Sequence, residues 1–306
     1  MLKENYDAVY ISIGAHTDKK LGIPGEDAKG VISAIQMLRD IGDGNPPDFT
    51  GKNVIVVGGG NVAMDATRSA IRLGAKNVSV MYRRRKADMT ALMDEIEAAI
   101  AEGAEILELH APQAIETNKK GHVTAMVADP KIIGLITGGR PSPAKSGREP
   151  IHIPCDIVIV AIGQDIVSEP FERAGIPAKR GRFLAQKDSS IAEKDGVFAG
   201  GDCVTGPATV IRAIAAGKVA AANIDNYLGF NHKIESGVVV PEPRIENKTP
   251  CGRVTMMERN TTERKKDFNI VENGMTCKEA NQEAHRCLRC DRFGYGVFKG
   301  GRVEEW

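Results

Sequence analysis

Residues 53–85 read NVIVVGGGNVAMDATRSAIRLGAKNVSVMYRRR, and this stretch decides the fold. The apolar run at 53–57 predicts a buried strand, and the glycines after it predict a tight turn. Residues 61–73 have the pattern of a helix that Gly74 ends, and residues 77–82 predict a second strand. A strand, a helix and a second strand in this order form a βαβ unit, which implies a parallel sheet.

The turn itself fits the pattern G-x-G-x-x-A with the residues Gly58, Gly59, Gly60, Asn61, Val62 and Ala63. The first glycine allows the tight turn, and the second lets the backbone approach a pyrophosphate. Ala63 permits close helix packing, and the helix N-terminus favours negative charge. We expect these six residues to bind a dinucleotide, and an ordinary strand-to-helix turn is the alternative.

The second strand runs into Tyr82, Arg83, Arg84, Arg85 and Lys86. Units that bind NAD usually carry Asp or Glu here to bind the ribose hydroxyl. A carboxylate would repel a 2′-phosphate, whereas guanidinium groups bind one bidentately. The run therefore predicts NADP(H), with Arg83 and Arg84 as its contacts, and a solvated basic run is the alternative.

Composition excludes several functional classes. The 306 residues include 41 Lys plus Arg against 40 Asp plus Glu, so the net charge of +1 argues against nucleic acid or an anionic membrane as the main partner. No apolar run approaches the roughly 18 residues of a membrane helix, and the N-terminus does not resemble a signal peptide. Six cysteines are too few for a disulfide scaffold, so we expect a cytoplasmic protein.

Two further apolar runs end in glycine. Ala8–Ile13 precedes Gly14, and the run from Cys155 ends at Gly163. Both predict strands that are buried on both faces of a parallel sheet. Only seven residues precede Ala8, so either its neighbouring strands come from later in the chain or the polypeptide begins inside a domain.

A second glycine motif lies further along, where residues 196–203 read GVFAGGDC before an alanine-rich helix predicted from about Ala208 to Leu228. Together with GGGNVAMDATR and YRRR, this motif resembles the two-dinucleotide-binding flavoprotein reductases of the NADPH-dependent glutamate synthase small-subunit type. The resemblance covers about Tyr6 to Leu228, with the motifs in the family's order.

The resemblance implies an α/β fold of the three-layer FAD/NAD(P)-binding type. It implies that Gly201 and Asp202 bind the ribityl or ribose part of FAD, and that the helix starting near Ala208 and Thr209 points its N-terminus at the flavin. It also implies that Gly14 and Gly163 lie in the two connections between the FAD and NADP domains.

The family's first FAD motif is absent from the sequence. The resemblance therefore implies an incomplete FAD site, either in the C-terminal portion of a longer flavoprotein or in a subunit whose other half comes from another chain. We expect four regions: the end of the first half of the FAD domain plus a linker (1–50), an inserted Rossmann-like NADP(H)-binding domain (51–163), the second part of the FAD domain (164–230), and an irregular cysteine-bearing tail (231–306).

Four cysteines lie in that tail: Cys251, Cys277, Cys287 and Cys290. The last two form a C-x-x-C, which lets two thiolates meet one metal, and four thiolates complete an iron-sulfur cluster or a zinc site. Reduced structural cysteines and a redox disulfide are the alternatives. No C-x-x-C separates the two nucleotide motifs, which argues against a dithiol mechanism.

These patterns predict an NADPH-linked flavin oxidoreductase that moves a hydride between NADP(H) and FAD. Electrons would pass on to iron-sulfur centres, a ferredoxin-type carrier or another subunit, with the cofactors supplying the chemistry. The alternative is a non-catalytic NADP(H)-binding module or subunit of a larger electron-transfer complex. We expect Arg68, and the Glu-rich helix that ends at Glu102, to lie on a solvated surface.

Overall fold

The computed structural model describes residues 5–137, 139–232 and 250–287. The strands are β1 (Val9–Ile11), β2 (Thr17–Asp18), β3 (Val31–Ser33), β4 (Asn53–Val57), β5 (Asn77–Tyr82), β6 (Glu105–Glu108), β7 (His110–Thr117), β8 (Val123–Thr137), β9 (Arg140–Lys145), β10 (Ile151–Pro154), β11 (Ile157–Val160), β12 (Gln164–Asp165), β13 (Ala178–Lys179), β14 (Arg182–Phe183) and β15 (Val197–Ala199). The helices are α1 (Ala34–Gly42), α2 (Asn61–Arg72), α3 (Met93–Glu102), α4 (Glu169–Arg173), α5 (Asp202–Thr205), α6 (Val210–Tyr227), α7 (Thr261–Arg264) and α8 (Cys277–Arg286), with a 3₁₀ turn at Lys86–Asp88.

The chain divides into two compact units. The first comprises the described parts of Met1–Ala15, Ile166–Arg259 and Ile270–Trp306. The second comprises the described parts of His16–Asp165 together with Asn260–Asn269.

The second unit is built on a five-stranded parallel sheet in the order β3-β11-β4-β5-β6. β4 lies between β11 and β5, and its residues Val54–Val57 are all buried. Helix α2 packs against this core through residues such as Ala63, Met64, Ala66 and Ala70, none of which is exposed. The predicted βαβ unit is confirmed, with both strands at the expected bounds.

The apolar spacing of Val31, Ile35 and Leu38 predicts a helix that starts at Val31, and this start is wrong. Residues 31–33 form β3, which pairs in parallel with β11, and α1 begins at Ala34. Ser33 caps α1, because its hydroxyl accepts a hydrogen bond from the Gln36 N–H at 2.9 Å. Residues 16–50, which the sequence grouped with the FAD part, therefore contribute a strand to the parallel sheet of the second unit.

An antiparallel sheet in the order β10-β8-β7 also belongs to the second unit. β8 pairs with β7 as far as Pro130 and with β10 as far as Ala128, and from Lys131 onward it pairs with β9 instead. The composition of residues 138–150 predicts an exposed hairpin loop, whereas residues 140–145 form the returning strand β9. Prolines at 141 and 143 disfavour a strand in general, but an edge strand tolerates them.

The first unit pairs β1 with β15 in parallel, with Val9 opposite Val197. The neighbour of β1 thus comes from later in the chain, which was one of the two alternatives. Among the described residues, these two strands make up the whole of this sheet. Its core contains Ile11, Phe183 and Ile191, together with Cys203.

None of the described helices combines the length and the apolar character that a membrane span requires.

A buried carboxylate at the end of α3 joins three parts of the second unit. Glu102 is 1% exposed and forms ion pairs with Arg68 at 2.9 Å, Arg72 at 2.7 Å and Arg264 at 3.0 Å. Two of the arginines lie on α2, and the third lies on α7. The expectation of a solvated surface is wrong for Glu102, because three guanidinium groups replace water around it.

The charge of Glu102 should contribute strongly to stability. Burial raises its pKa, but hydrogen bonds from Arg72 and Arg68 outweigh burial, so the pKa lies below its ordinary value of 4.5. A carboxyl with a depressed pKa stabilises the fold above its unfolded pKa and loses that contribution as the pH falls towards the folded pKa.

We expect Glu102→Gln to lower the free energy of unfolding at pH 7 by about 3 kcal/mol, because it leaves buried guanidinium groups without their charge partner. The exposed Glu97 lies on the same helix, and we expect Glu97→Gln to change the value by less than about 0.5 kcal/mol. Urea unfolding at pH 7 and pH 4 measures both, and the deficit of Glu102→Gln should shrink at pH 4. Equal stability of the two variants at pH 7 would contradict the role given to Glu102.

Candidate dinucleotide-binding site

The carboxyl ends of β4, β5 and β11 meet at the glycine turn. The Gly58 N–H donates to the Met81 carbonyl at 3.1 Å, which joins the turn to β5. Gly58 has φ +151°, and a Cβ there would lie 2.3 Å from the carbonyl oxygen of Ala161, just after β11. Only glycine fits, since a side chain would collide with rigid backbone.

Gly59 passes over an aromatic ring. A Cβ on it would lie 2.5 Å from Cε2 of Tyr82, whose side chain is buried at the end of β5. The Tyr82 hydroxyl donates to the Asp88 carbonyl at 2.9 Å, which fixes the ring in place. The backbone of Gly59 can therefore run close to this ring only because Gly59 lacks a side chain.

Helix α2 begins without a side-chain cap. Gly60 is the N-cap residue, and its carbonyl accepts hydrogen bonds from the N–H groups of Ala63 and Met64. The N–H groups of Asn61 and Val62, in the first turn, donate no hydrogen bond to a capping side chain. N–H groups at such a helix start are suited to an anion such as a pyrophosphate.

The loop after β5 folds back over the glycine turn. The N–H groups of Thr90 and Ala91 donate to the Gly59 carbonyl at 2.9 and 3.1 Å, and the Leu92 N–H donates to Oδ1 of Asn61 at 2.9 Å. The sequence predicted Asn61 as a cofactor contact. Its side chain accepts this hydrogen bond from the protein's own loop, which the motif does not reveal, and the cofactor contact of Asn61 stays a prediction.

The four basic residues at 83–86 differ in their surroundings. Arg83 is exposed, and Arg84 is half-buried with its Nε donating to the Pro141 carbonyl at 2.7 Å. Arg85 donates to both carboxylate oxygens of Asp88, at 2.8 and 3.0 Å. The structure thus leaves Arg83 and Arg84 as the candidate phosphate contacts and uses Arg85 within the loop.

The carboxylates beside this run are already engaged. The side-chain hydrogen bond from Arg85 holds the pKa of Asp88 below its ordinary value, so Asp88 is ionised and paired. Glu108 accepts a hydrogen bond from the Lys86 N–H at 2.8 Å. Neither carboxylate forms an ion pair with Arg83 or Arg84 among the described residues.

The second glycine motif follows β15 in the first unit. Gly201 has φ +76°, and α5 begins at Asp202, whose Oδ1 accepts a hydrogen bond from the Ala208 N–H at 3.2 Å. Asp202 therefore orders the segment that leads to Thr209, the N-cap residue of α6. Cys203 is fully buried, and its thiol donates to backbone carbonyls, as expected of a packing residue.

Two predicted glycines lie at strand ends. Gly14 follows β1 in the first unit with φ +67°. Gly163 follows β11 in the second unit with φ +132°, and its carbonyl accepts a hydrogen bond from the Lys19 N–H at 3.2 Å. Both positions have a positive φ that disfavours residues other than glycine.

Much of α6 is uncovered within the described residues. Val210, Ile211 and Ile214 are 76%, 68% and 54% exposed, and Ala220 is the one buried residue that this helix contributes there. Aliphatic side chains exposed to this degree in adjacent turns are typical of an interaction surface.

The tail cysteines do not converge in the described residues. Cys277 begins the ten-residue helix α8 and Cys287 follows its end, which separates them by roughly 15 Å along the axis. No three His, Cys, Asp or Glu side chains in the described ranges are grouped to hold a metal. Cys290 lies outside the described residues, and the thiol of Cys251 contacts the Gln282 carbonyl at 3.8 Å.

Comparison with known proteins decides the family. The family model described as pyridine nucleotide-disulphide oxidoreductase matches residues 2–217. The chain belongs to this family. The curated relatives agree with the resemblance that the motifs carry, which is thereby confirmed.

Three curated relatives illustrate the match. A protein named NADP(+)-dependent formate dehydrogenase subunit beta from Moorella thermoacetica is 37% identical, and the match covers 98% of this chain and 44% of the relative. One named NADPH-Fe(3+) oxidoreductase subunit beta from Geobacter sulfurreducens is 32% identical, and the match covers 95% of this chain and 49% of the relative. The Escherichia coli glutamate synthase [NADPH] small chain is 34% identical, and the match covers 74% of this chain and 52% of the relative. The chain therefore spans about half the length of these relatives.

Solved structures confirm the predicted fold class. FprA from Mycobacterium tuberculosis in complex with NADPH matches with a TM-score of 0.59 at 20% identity, covering 74% of this chain and 64% of that one. Thioredoxin reductase from Lactococcus lactis matches with a TM-score of 0.57 at 22% identity, covering 72% of this chain and 66% of that one. At these identities the likeness shows the fold alone.

The family name refers to a disulphide, but the described part of this member offers no redox pair between its nucleotide motifs. Cys155 and Cys203 are both buried free thiols. Burial raises the pKa of Cys155 to about 12, which leaves the thiol protonated and unreactive.

The glycine turn gives a sharp test of the site's geometry. We expect Gly58→Ala to lower the free energy of unfolding by at least about 2 kcal/mol, because it combines backbone strain with a clash. Gly60→Ala should cost less than about 0.5 kcal/mol, since the nearest atom to its Cβ would be the Thr90 hydroxyl at 3.5 Å. Denaturant unfolding of the pair measures the difference, and equal losses would contradict the geometry.

Proposed function

We propose that this chain binds NADP(H) at the glycine turn and serves as the NADPH-linked half of a flavin oxidoreductase. One observation carries the proposal. The uncapped start of α2 lies at the same sheet edge as Arg83 and Arg84, which stand where NAD sites typically have an acidic residue. The names of the curated relatives, several of which include NADPH or NADP(+), support it.

Electrostatics favours NADP(H) over NAD(H). An NAD site uses a carboxylate to accept a hydrogen bond from the ribose hydroxyl. Here the nearest carboxylates, those of Asp88 and Glu108, already accept hydrogen bonds from Arg85 and the Lys86 N–H. Arg83 and Arg84 would supply the guanidinium groups that bind a 2′-phosphate.

The coenzyme preference can be measured directly. We expect the chain to bind NADPH more tightly than NADH, and Arg83→Ala and Arg84→Ala each to weaken NADPH binding about tenfold with little effect on NADH. Lys119→Ala is the matched control, since it removes a positive charge from the exposed turn between β7 and β8. Dissociation constants from titration decide the matter, and a preference of the native chain for NADH would overturn the proposal.

The residues of the first unit fit one side of an FAD site. Asp202 lies shortly before the start of α6 at Thr209, and Gly201 has the positive φ of a tight turn, which supports this proposal. When bound, FAD would accept the hydride equivalent from the nicotinamide. The chain's own contribution would be the carboxylate of Asp202, the helix start and the apolar support of β1 and β15.

We propose that a further segment covers the first unit and contributes to an FAD site. The two-stranded sheet and the exposed Val210, Ile211 and Ile214 on α6 support a covering segment, either in a longer polypeptide or in a partner subunit. Several relatives are named as subunits or chains of larger enzymes. We propose that this chain likewise works with a partner, in the cytoplasm.

The iron-sulfur cluster predicted from the tail stays a prediction. The separation of Cys277 and Cys287 by the whole of α8 does not fit a site that contains both. The proposed hydride transfer therefore does not depend on a cluster held by Cys251, Cys277, Cys287 and Cys290. A ferredoxin-type carrier or another subunit as the electron partner is likewise a proposal.

The sheet of the first unit has only two strands among the described residues, which favours one other function, a non-catalytic NADP(H)-binding module. Dye reduction by NADPH distinguishes the two functions. It is assayed with FAD alone, and with FAD plus the part of the Moorella relative that this chain does not match. We expect little flavin binding by the chain alone and flavin-dependent dye reduction with the added half. Tight NADPH binding without dye reduction in either case would favour the module.

A further inference from the structure

The long hairpin of the second unit makes a contact that the motifs do not predict. Arg84 donates through Nε to the carbonyl of Pro141, at 2.7 Å, in the returning strand β9. This hydrogen bond uses Nε only. The two terminal nitrogens, which a guanidinium uses to bind a phosphate bidentately, take no part in it.

The backbone of Arg84 is attached to the base of the same hairpin. Its carbonyl accepts a hydrogen bond from the Leu109 N–H at 3.1 Å, and the Leu109 carbonyl accepts one from the Lys131 N–H at 2.6 Å. Leu109 has φ +57°, which is costly for a bulky residue and persists only where the surrounding structure imposes it. Arg84 is thus connected to the hairpin through both its side chain and its main chain.

The hairpin is irregular where the carbonyl of Pro141 meets the arginine. The pairing of β8 with β9 shifts register between Ile133 and Ile136, and Ile136 lies opposite Pro141. Such irregularities break a ladder locally and redirect the chain. Because proline has no N–H, the carbonyl is the one backbone group through which Pro141 can form a hydrogen bond.

We propose that the β8–β9 hairpin positions Arg84 to select NADP(H). The Pro141 carbonyl holds Nε, so that the guanidinium presents its terminal nitrogens in a fixed plane and pays less conformational entropy on binding a 2′-phosphate. This inference rests on the proposed NADP(H) binding. It makes the hairpin a positioning element, with Arg84 as the residue that contacts the coenzyme.

The hairpin can be shortened without touching the sheet that anchors it. β7 and β10 pair with β8 only as far as Pro130, and Lys131 lies directly opposite Lys145. Replacing residues 132–144 by Asn-Gly would join these two lysines through a two-residue turn. The product retains Arg84, Leu109 and the whole β7-β8-β10 sheet but loses Pro141.

The test is a double-mutant cycle on the full chain, with NADPH and NADH dissociation constants as the readouts. We expect the shortened hairpin to weaken NADPH binding about tenfold and to leave NADH binding within about twofold. In the Arg84→Ala background, shortening should have no further effect. Unchanged NADPH affinity, or a further tenfold loss in that background, would overturn the inference.

A second variant decides the question even if the shortened chain fails to fold. Lys in place of Arg84 keeps the positive charge but cannot hold the Pro141 carbonyl and bind a phosphate in one plane. Arg84→Lys should therefore lose about tenfold in NADPH affinity, and native affinity would refute the positioning role. If the native chain shows no preference for NADPH, the proposed function itself fails. If the native chain prefers NADPH and the variants keep that preference, only the positioning role of the hairpin fails.

Discussion

The close approach of backbone to backbone at Gly58 is the constraint on which the second unit depends. A Cβ on Gly58 would lie only 2.3 Å from the carbonyl oxygen of Ala161, so the segments that follow β4 and β11 run side by side. This close approach orients α2 so that Ala63 packs into the core and the first turn of the helix lies at the sheet edge. Everything proposed for the coenzyme follows from this placement, because the arginines after β5 reach the same edge.

A second set of contacts, between the glycine turn and the residues at and after the end of β5, shapes the site. Tyr82 lies beneath Gly59, and the loop after β5 returns to bond the Gly59 carbonyl and the Asn61 side chain. Adjacent positions in one basic run therefore have different roles. Arg85 stabilises the loop through Asp88, whereas Arg84 is oriented by the hairpin.

The sequence predicted the elements whose patterns are local. The alternation of strand, glycine turn and helix at 53–82 was sufficient because a buried parallel strand and a helix stop have short-range patterns. It failed at Val31, where pairing with β11 across more than a hundred residues overrides the helical spacing. It also failed at Glu102, since an acidic residue looks solvated until its arginine partners are known. The Pro141 carbonyl could not be foreseen at all, because a backbone atom leaves no trace in residue identity.

The late position of Arg264 in the chain has a consequence for biosynthesis. Arg72 hydrogen-bonds to the Asp267 carbonyl across 195 residues, and Arg264 closes the ion cluster around Glu102. Contacts of such sequence separation carry a large loop-closure entropy and form slowly. On the ribosome, the second unit can assemble its sheet early, but its buried carboxylate acquires its third guanidinium partner only when Arg264 has emerged.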